Sequence, residues 1–94
     1  MSHTVRDKKK LLNRIRRIRG QVDGIERLLN REHDEDCFAI LQAIAACRGA
    51  MNGLMAEVIE GHINDHVINP DHATTPEQSQ AGKELIEVVR TYLK

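Results

Sequence analysis

The sequence predicts an all-α protein, a three-helix protomer that pairs with copies of itself. Three observations carry this reading. Apolar residues recur at helical rather than alternating spacing over two long stretches, a polar break and a Pro-containing linker divide the chain into three, and the second apolar stretch is longer than one small protomer can cover. At 94 residues the chain is expected to form one domain, 1–94, with one Tyr, one Phe and no Trp to fill a core. Small helical chains so poorly supplied gain stability by oligomerising.

Helix one is expected over about residues 6–30, where Leu11, Ile15, Ile18, Val22, Ile25 and Leu29 follow at spacings of 4, 3, 4, 3 and 4. That is the pattern of a helix seated against other helices. One position earlier run Lys10, Arg14, Arg17 and Gln21, so a basic strip flanks the apolar stripe. Arg16 and Arg19 broaden it, and no acid intervenes between Asp7 and Asp23. A net charge of zero conceals the asymmetry: residues 1–31 hold ten Lys or Arg against three acids, a net +7, and the remainder four against eleven, a net −7. A solvated face is the competing account of the strip, but so sharp a sorting of charge favours contact with a polyanion. With stacking aromatics missing, phosphate-dominated contact with duplex DNA is favoured over a single-strand or RNA platform.

Residues 30–36, NREHDED, read as a loop with an acidic start for the next helix. Helix two is expected over about 36–67, with Cys37, Leu41, Ile44, Arg48, Met51, Met55, Val58 and His62 in a heptad-like stripe and His66 one turn beyond. VINPDHATT supplies a linker. Helix three is expected over about 76–93, with Thr75 as cap, Pro76 in the first turn, Gln78 closing a capping box, and Leu85, Val88, Val89 and Tyr92 as its apolar face. No repeat, low-complexity tract or convincing strand is present.

EGHINDH, residues 60–66, sets two imidazoles one turn apart, a spacing that can chelate a metal and that chance also gives a polar helix end. Their phase relative to Cys37 weighs against chance. Cys37 and His62 are 25 residues apart, which at 100° per residue returns to nearly the same face but separates them by about 37 Å along the axis. A second copy running antiparallel across a two-fold axis brings Cys37 of one chain beside His62 and His66 of the other, giving two sites per dimer. The axis would cross near residue 50, where Gly49, Ala50 and Gly53 permit close approach; a simple kink is the competing account of these glycines. Cys37 and Cys47, about 15 Å apart on one helix, cannot bridge each other, so both thiols are expected reduced. The charged opening MSHTVRDKKK has no apolar core of a leader, and no later stretch is read as approaching the roughly 18 apolar residues of a membrane span. A cytoplasmic protein without membrane contact is expected.

The stretches RIRRIRGQV, CFAILQAIAACRGAMNGLMAEVIEGHI and VVRTYLK resemble the CsoR/RcnR/FrmR family of bacterial transcriptional repressors over nearly the whole chain. The resemblance implies an all-helical protomer and an antiparallel helical-bundle dimer with inter-subunit effector sites. It further implies a homotetramer built as a dimer of dimers, which binds double-stranded operator DNA without a helix-turn-helix. The family's DNA-contacting basic positions map to Lys10, Arg14 and Arg17, with Arg16 and Arg48 as weaker candidates. Copper(I) sensors of the family place a Cys where His66 stands, which suits a soft ion. Cys37, His62 and His66, with His3 and the N-terminal amine of Ser2 after removal of Met1, resemble the nickel/cobalt-sensing branch instead. Zinc accepts the same ligands.

The formaldehyde-sensing branch is the alternative, using the Ser2 amine and Cys37 as the two groups an aldehyde bridges. That branch has Pro at position 2 and lacks a His at the position of His66, whereas RIRRIRGQVDGIER and the closing helix look closer to it. Ligand identity sets the chemistry directly, so the site outweighs the body and nickel or cobalt is the expected effector.

Plain structural roles are expected elsewhere: Cys47 as a small buried side chain, Met51 and Met55 as core, and His33 and His72 as solvent-facing loop residues. Enzyme function is not expected, since Ile63 stands where a zincin requires Glu and no nucleophile elbow or phosphate loop occurs. A metal-storage or chaperone module is a remote alternative, but it has no use for the +7 segment. The expected mechanism is linkage. Effector binding ties Cys37 to the partner's histidine pair, draws in the segment carrying His3, and moves the strip on helix one out of register with the phosphates.

Overall fold

The computed structural model describes residues 7–31, 36–68 and 74–93, which form three helices and, among these residues, no strand. Helix α1 spans Lys8–Leu29, slightly inside the expected 6–30, because Asp7 and Asn30 are its flanking caps. Helix α2 spans Cys37–His62. Asp36 is the cap rather than the first helical residue, its side chain accepting the Ala39 N–H at 3.1 Å, so the acidic start works by satisfying an orphan donor. At its far end α2 widens into a π-helical turn, Ile63–Val67, closed by the Ile68 N–H on the Ile63 carbonyl at 2.9 Å. Helix α3 spans Pro76–Tyr92, with Leu93 as its C-cap rather than its last residue. Its expected capping box is present in both directions: the Gln78 N–H donates to Thr75 Oγ1 at 3.1 Å and the Thr75 N–H to Gln78 Oε1 at 2.9 Å.

Helix α1 packs along α2, and α3 folds back on the C-terminal end of α2 and its π turn. The result measures 62 × 25 × 10 Å, a sheet of helices about one helix diameter thick. A single layer has no second face to close a core. Among the described residues, Ile18, Ile63 and Ile86 are the only large apolar side chains buried, and the α1 stripe is covered only in part, with Val22 and Leu29 exposed. Met51 and Met55, expected in the core, are about half exposed at 48% and 51%, and Phe38, Leu41 and Ile44 lie open on the same helix. Cys47 is half-buried.

Two further expectations are corrected. The packed face of α3 is Gly82, Ile86 and Val89, whereas Leu85, Val88 and Tyr92 form an exposed second face. The reason is Gly82: a Cβ there would lie 2.5 Å from Ile68 Cγ2, so only glycine admits this approach of α3 to the chain leaving the π turn. The stretch Cys37–Val67 does approach a membrane span in length and composition, with 31 residues and a mean hydropathy of 1.3 over its most apolar window, 6% of which is buried. Its C-terminal half carries Glu57 and Glu60, both engaged by basic residues of other helices.

Candidate effector site and nucleic-acid interface

His62 closes α2 and His66 sits in the π turn, so the pair occupies the place where the helix changes its winding. Widened turns of this kind recur at functional sites. The two rings are exposed, with centroids 5.0 Å apart and planes tilted by 41°. With metal–nitrogen bonds of roughly 2.0–2.1 Å an ion lies about 3.2 Å from each ring centre, so two centroids up to about 6 Å apart can share it. The His62–His66 pair falls within that reach.

Cys37 is exposed at the opposite end of the same helix, in the first turn after Asp36. The protomer therefore does not bring Cys37 to the histidines, and among the described residues no group of three His, Cys, Asp or Glu side chains converges on one point. What the protomer presents is an exposed pair of imidazoles and a distant thiol. His3 and Ser2 lie outside the described residues, as do His33 and His72.

The basic strip is held in a way charge counting does not reveal. Lys10 Nζ lies 2.5 Å from Glu57 Oε1, and Arg14 Nε lies 3.0 Å from Glu57 Oε2, an ion pair whose N–H is not well aimed at the oxygen. The hydrogen bond to Glu57, then the attraction of its charge, holds the Lys10 ammonium above its ordinary pKa of 10.5. Gly53, one turn before Glu57, makes room for Arg14: a Cβ there would lie 3.0 Å from Arg14 Nη1, whereas one at Gly49 would meet nothing within 4 Å. Arg16 is exposed and donates to Asn13 Oδ1 at 3.0 Å, and Arg17 and Arg48 are exposed. Arg14 and Arg17 border a cleft of about 290 Å³ between α1 and α2, into which Gln21 brings a buried Oε1 with no hydrogen-bond partner among the described residues.

A second cleft, of about 250 Å³, opens where the start of α1, the end of α2 and the end of α3 meet. Glu57 and Lys10 line one side. On the other, Arg90 grips Glu60 with Nε on Oε2 at 3.1 Å and Nη2 on Oε1 at 2.5 Å, a bidentate pair that ties α3 to α2. Asp7, with Gly61 and Asn64 on either side of the His62–Ile63 pair, completes the lining. Sequence reasoning counted Glu57, Glu60 and Arg90 only as charges, since nothing in local spacing says which helix a carboxylate will face.

Residues 7–91 match the family model described as "Metal-sensitive transcriptional repressor". The chain belongs to this family. Membership carries operator DNA binding and oligomerisation, and a regulatory rather than an enzymatic role. Among its relatives, the "Transcriptional repressor RcnR" of Salmonella arizonae is 44% identical over 95 residues, covering all of both chains. An "Uncharacterized protein in bioA 5'region" of Serratia marcescens is 52% identical over 94 residues, again covering both completely. Among solved structures, a glutamate-to-histidine variant of the Formaldehyde-Responsive Regulator FrmR from Salmonella enterica serovar Typhimurium is 50% identical. It superposes with a TM-score of 0.61 over 93% of this chain and 94% of that one.

Proposed function

We propose that this repressor senses nickel or cobalt in the cytoplasm, holding the ion with His62 and His66 of one protomer and Cys37 of another, with His3 and the Ser2 amine as further donors. The observation that carries the reading is the exposed His62–His66 pair, 5.0 Å apart, at the end of an apolar helix that its own protomer leaves open. Mixed imidazole and thiolate donors suit nickel, cobalt and zinc and fit copper(I) less well than a thiolate-rich set. The ion supplies bonds that close only when two protomers are correctly paired. The rest of the response belongs to the chain: α1 carries Lys10, Arg14 and Arg17 to the phosphates, with Arg16 and Arg48 flanking, and α2 couples that strip to the histidines through side chains along its length. A coupling of about 1–3 kcal/mol between effector and DNA corresponds to roughly 5- to 150-fold derepression.

A specific observation favours a second reading, response to formaldehyde through the Ser2 amine and Cys37. The chain is 50% identical to the formaldehyde-responsive variant and 44% to the RcnR relative, and Cys37 is exposed to a small electrophile. Fluorescence anisotropy on the duplex upstream of the protein's own gene, titrated separately with nickel, cobalt, zinc and formaldehyde, separates the two. Release by nickel or cobalt and not by formaldehyde is the expected result. Release by formaldehyde at concentrations where the metals do nothing would replace the first reading with the second.

A further inference from the structure

We propose that Glu57 is a positioning residue for the DNA-binding strip: its carboxylate draws Lys10 and Arg14 onto α2 and competes with phosphate for them, so it sets how tightly the free repressor binds DNA. The inference rests on the reading of α1 as the DNA-binding face. Two cations of that face converge on one carboxylate, at 2.5 and 3.0 Å. Gly53 clears the space through which Arg14 reaches it. The carboxylate itself is largely enclosed, with 24% of its side chain exposed, whereas Lys10 and Arg14 are 68% and 40% exposed. Glu57 is thus the fixed member of the cluster, and the two cations are the members free to swing toward a ligand.

The exposure of the two cations also sets the strength. Ion pairs whose cations are open to water are weak and screened by salt, so a polyanion can take both cations away, at a cost. Glu57 acts as a brake on binding and not as a lock. Glu60 supplies an internal comparison, because it lines the same cleft and carries the same charge but is engaged by Arg90 of α3, outside the strip.

The test compares E57Q with E60Q by anisotropy on the same duplex, each variant having the same change in net charge. Glutamine matches glutamate in shape, and circular dichroism checks that the helices persist. E57Q should bind about 2- to 30-fold more tightly than the wild type, the range two weak exposed pairs allow, while E60Q changes affinity much less. E57D, which keeps the charge and withdraws the oxygens by one methylene, should fall between wild type and E57Q. In a background lacking both partner cations, K10A/R14A, the E57Q effect should vanish.

Equal tightening by E57Q and E60Q would overturn the inference, leaving only a general effect of net charge. Unchanged or weakened binding by E57Q, or persistence of its effect in the K10A/R14A background, would overturn it too. A wild-type protein that does not bind the duplex at all would overturn the functional reading and this inference together, and that outcome is seen before any variant is compared.

Discussion

Single residues decide how this protomer is put together and what it can bind. Cys37 is exposed in the first turn of α2 and takes no part in the packing between helices described above, so its loss should leave the fold and the free-state DNA affinity in place. Cys37→Ala is therefore expected to bind operator DNA as the wild type does and to remain bound on addition of nickel or cobalt, measured by anisotropy; normal release would remove Cys37 from the effector site. Gly82 is the opposite case, a residue with no chemistry whose lack of a side chain is the requirement. Ile68 Cγ2 stands 2.5 Å from the position of its missing Cβ and Ile68 Cδ1 3.1 Å. Gly82→Ala should cost about 1–3 kcal/mol through overpacking, a fall in melting temperature of about 4–8 °C for each kcal/mol in a chain of this size. A thermal melt with an unchanged midpoint would mean that the Ile68 segment yields freely.

At the scale of elements, the helices follow from local chemistry and their faces do not. The stripe from Leu11 to Leu29 and the reciprocal Thr75–Gln78 cap were legible because both are relations within one or two turns, which the sequence spells out directly. The cap has a measurable value: Thr75→Ala should destabilise by about 0.5–2 kcal/mol and speed hydrogen exchange in the first turn of α3, while exchange in α1 stays unchanged. The packed face of α3 was not legible, because Leu85, Val88 and Tyr92 make as regular an apolar row as Ile86 and Val89 do. Hydrophobic periodicity ranks faces by composition, and here a backbone approach through Gly82 selected the other one. The π turn escaped for a similar reason, since INDHV carries no breaker and continues an ordinary helical pattern on paper.

The whole molecule is defined by being too thin to be finished. A layer 62 × 25 × 10 Å with Phe38, Leu41, Ile44, Met51 and Met55 open along α2 has an apolar surface that water must cover unless another chain does. The distance between Cys37 and the histidines along one rod bears on the proposed site in the same way: built from both ends of α2, it would require two copies. Met55→Glu should therefore shift the protein toward monomer by placing a charge on the α2 surface proposed to pair. Sedimentation velocity measures this, and an unchanged assembly would locate the contact elsewhere. The same variant is expected to lose metal affinity, because its histidines no longer meet a thiol.

By itself the sequence determined the number of helices, the N-terminal cap of α3, the basic sorting of α1 and the phase that sets Cys37, His62 and His66 on one side of α2, since each of these is a repeat or a spacing along a single strand of text. Only the tertiary structure decided that Glu57 holds Lys10 and Arg14, that Arg90 holds Glu60, that Gly82 rather than Leu85 meets the neighbouring segment, and that the two imidazoles stand 5.0 Å apart where α2 passes into a widened turn. The physical reason is the range of the forces. Helix formation and capping are settled within a few residues, whereas which carboxylate meets which cation depends on how two helices are rotated about their axes, and that rotation is fixed by the packing of all their contacts together.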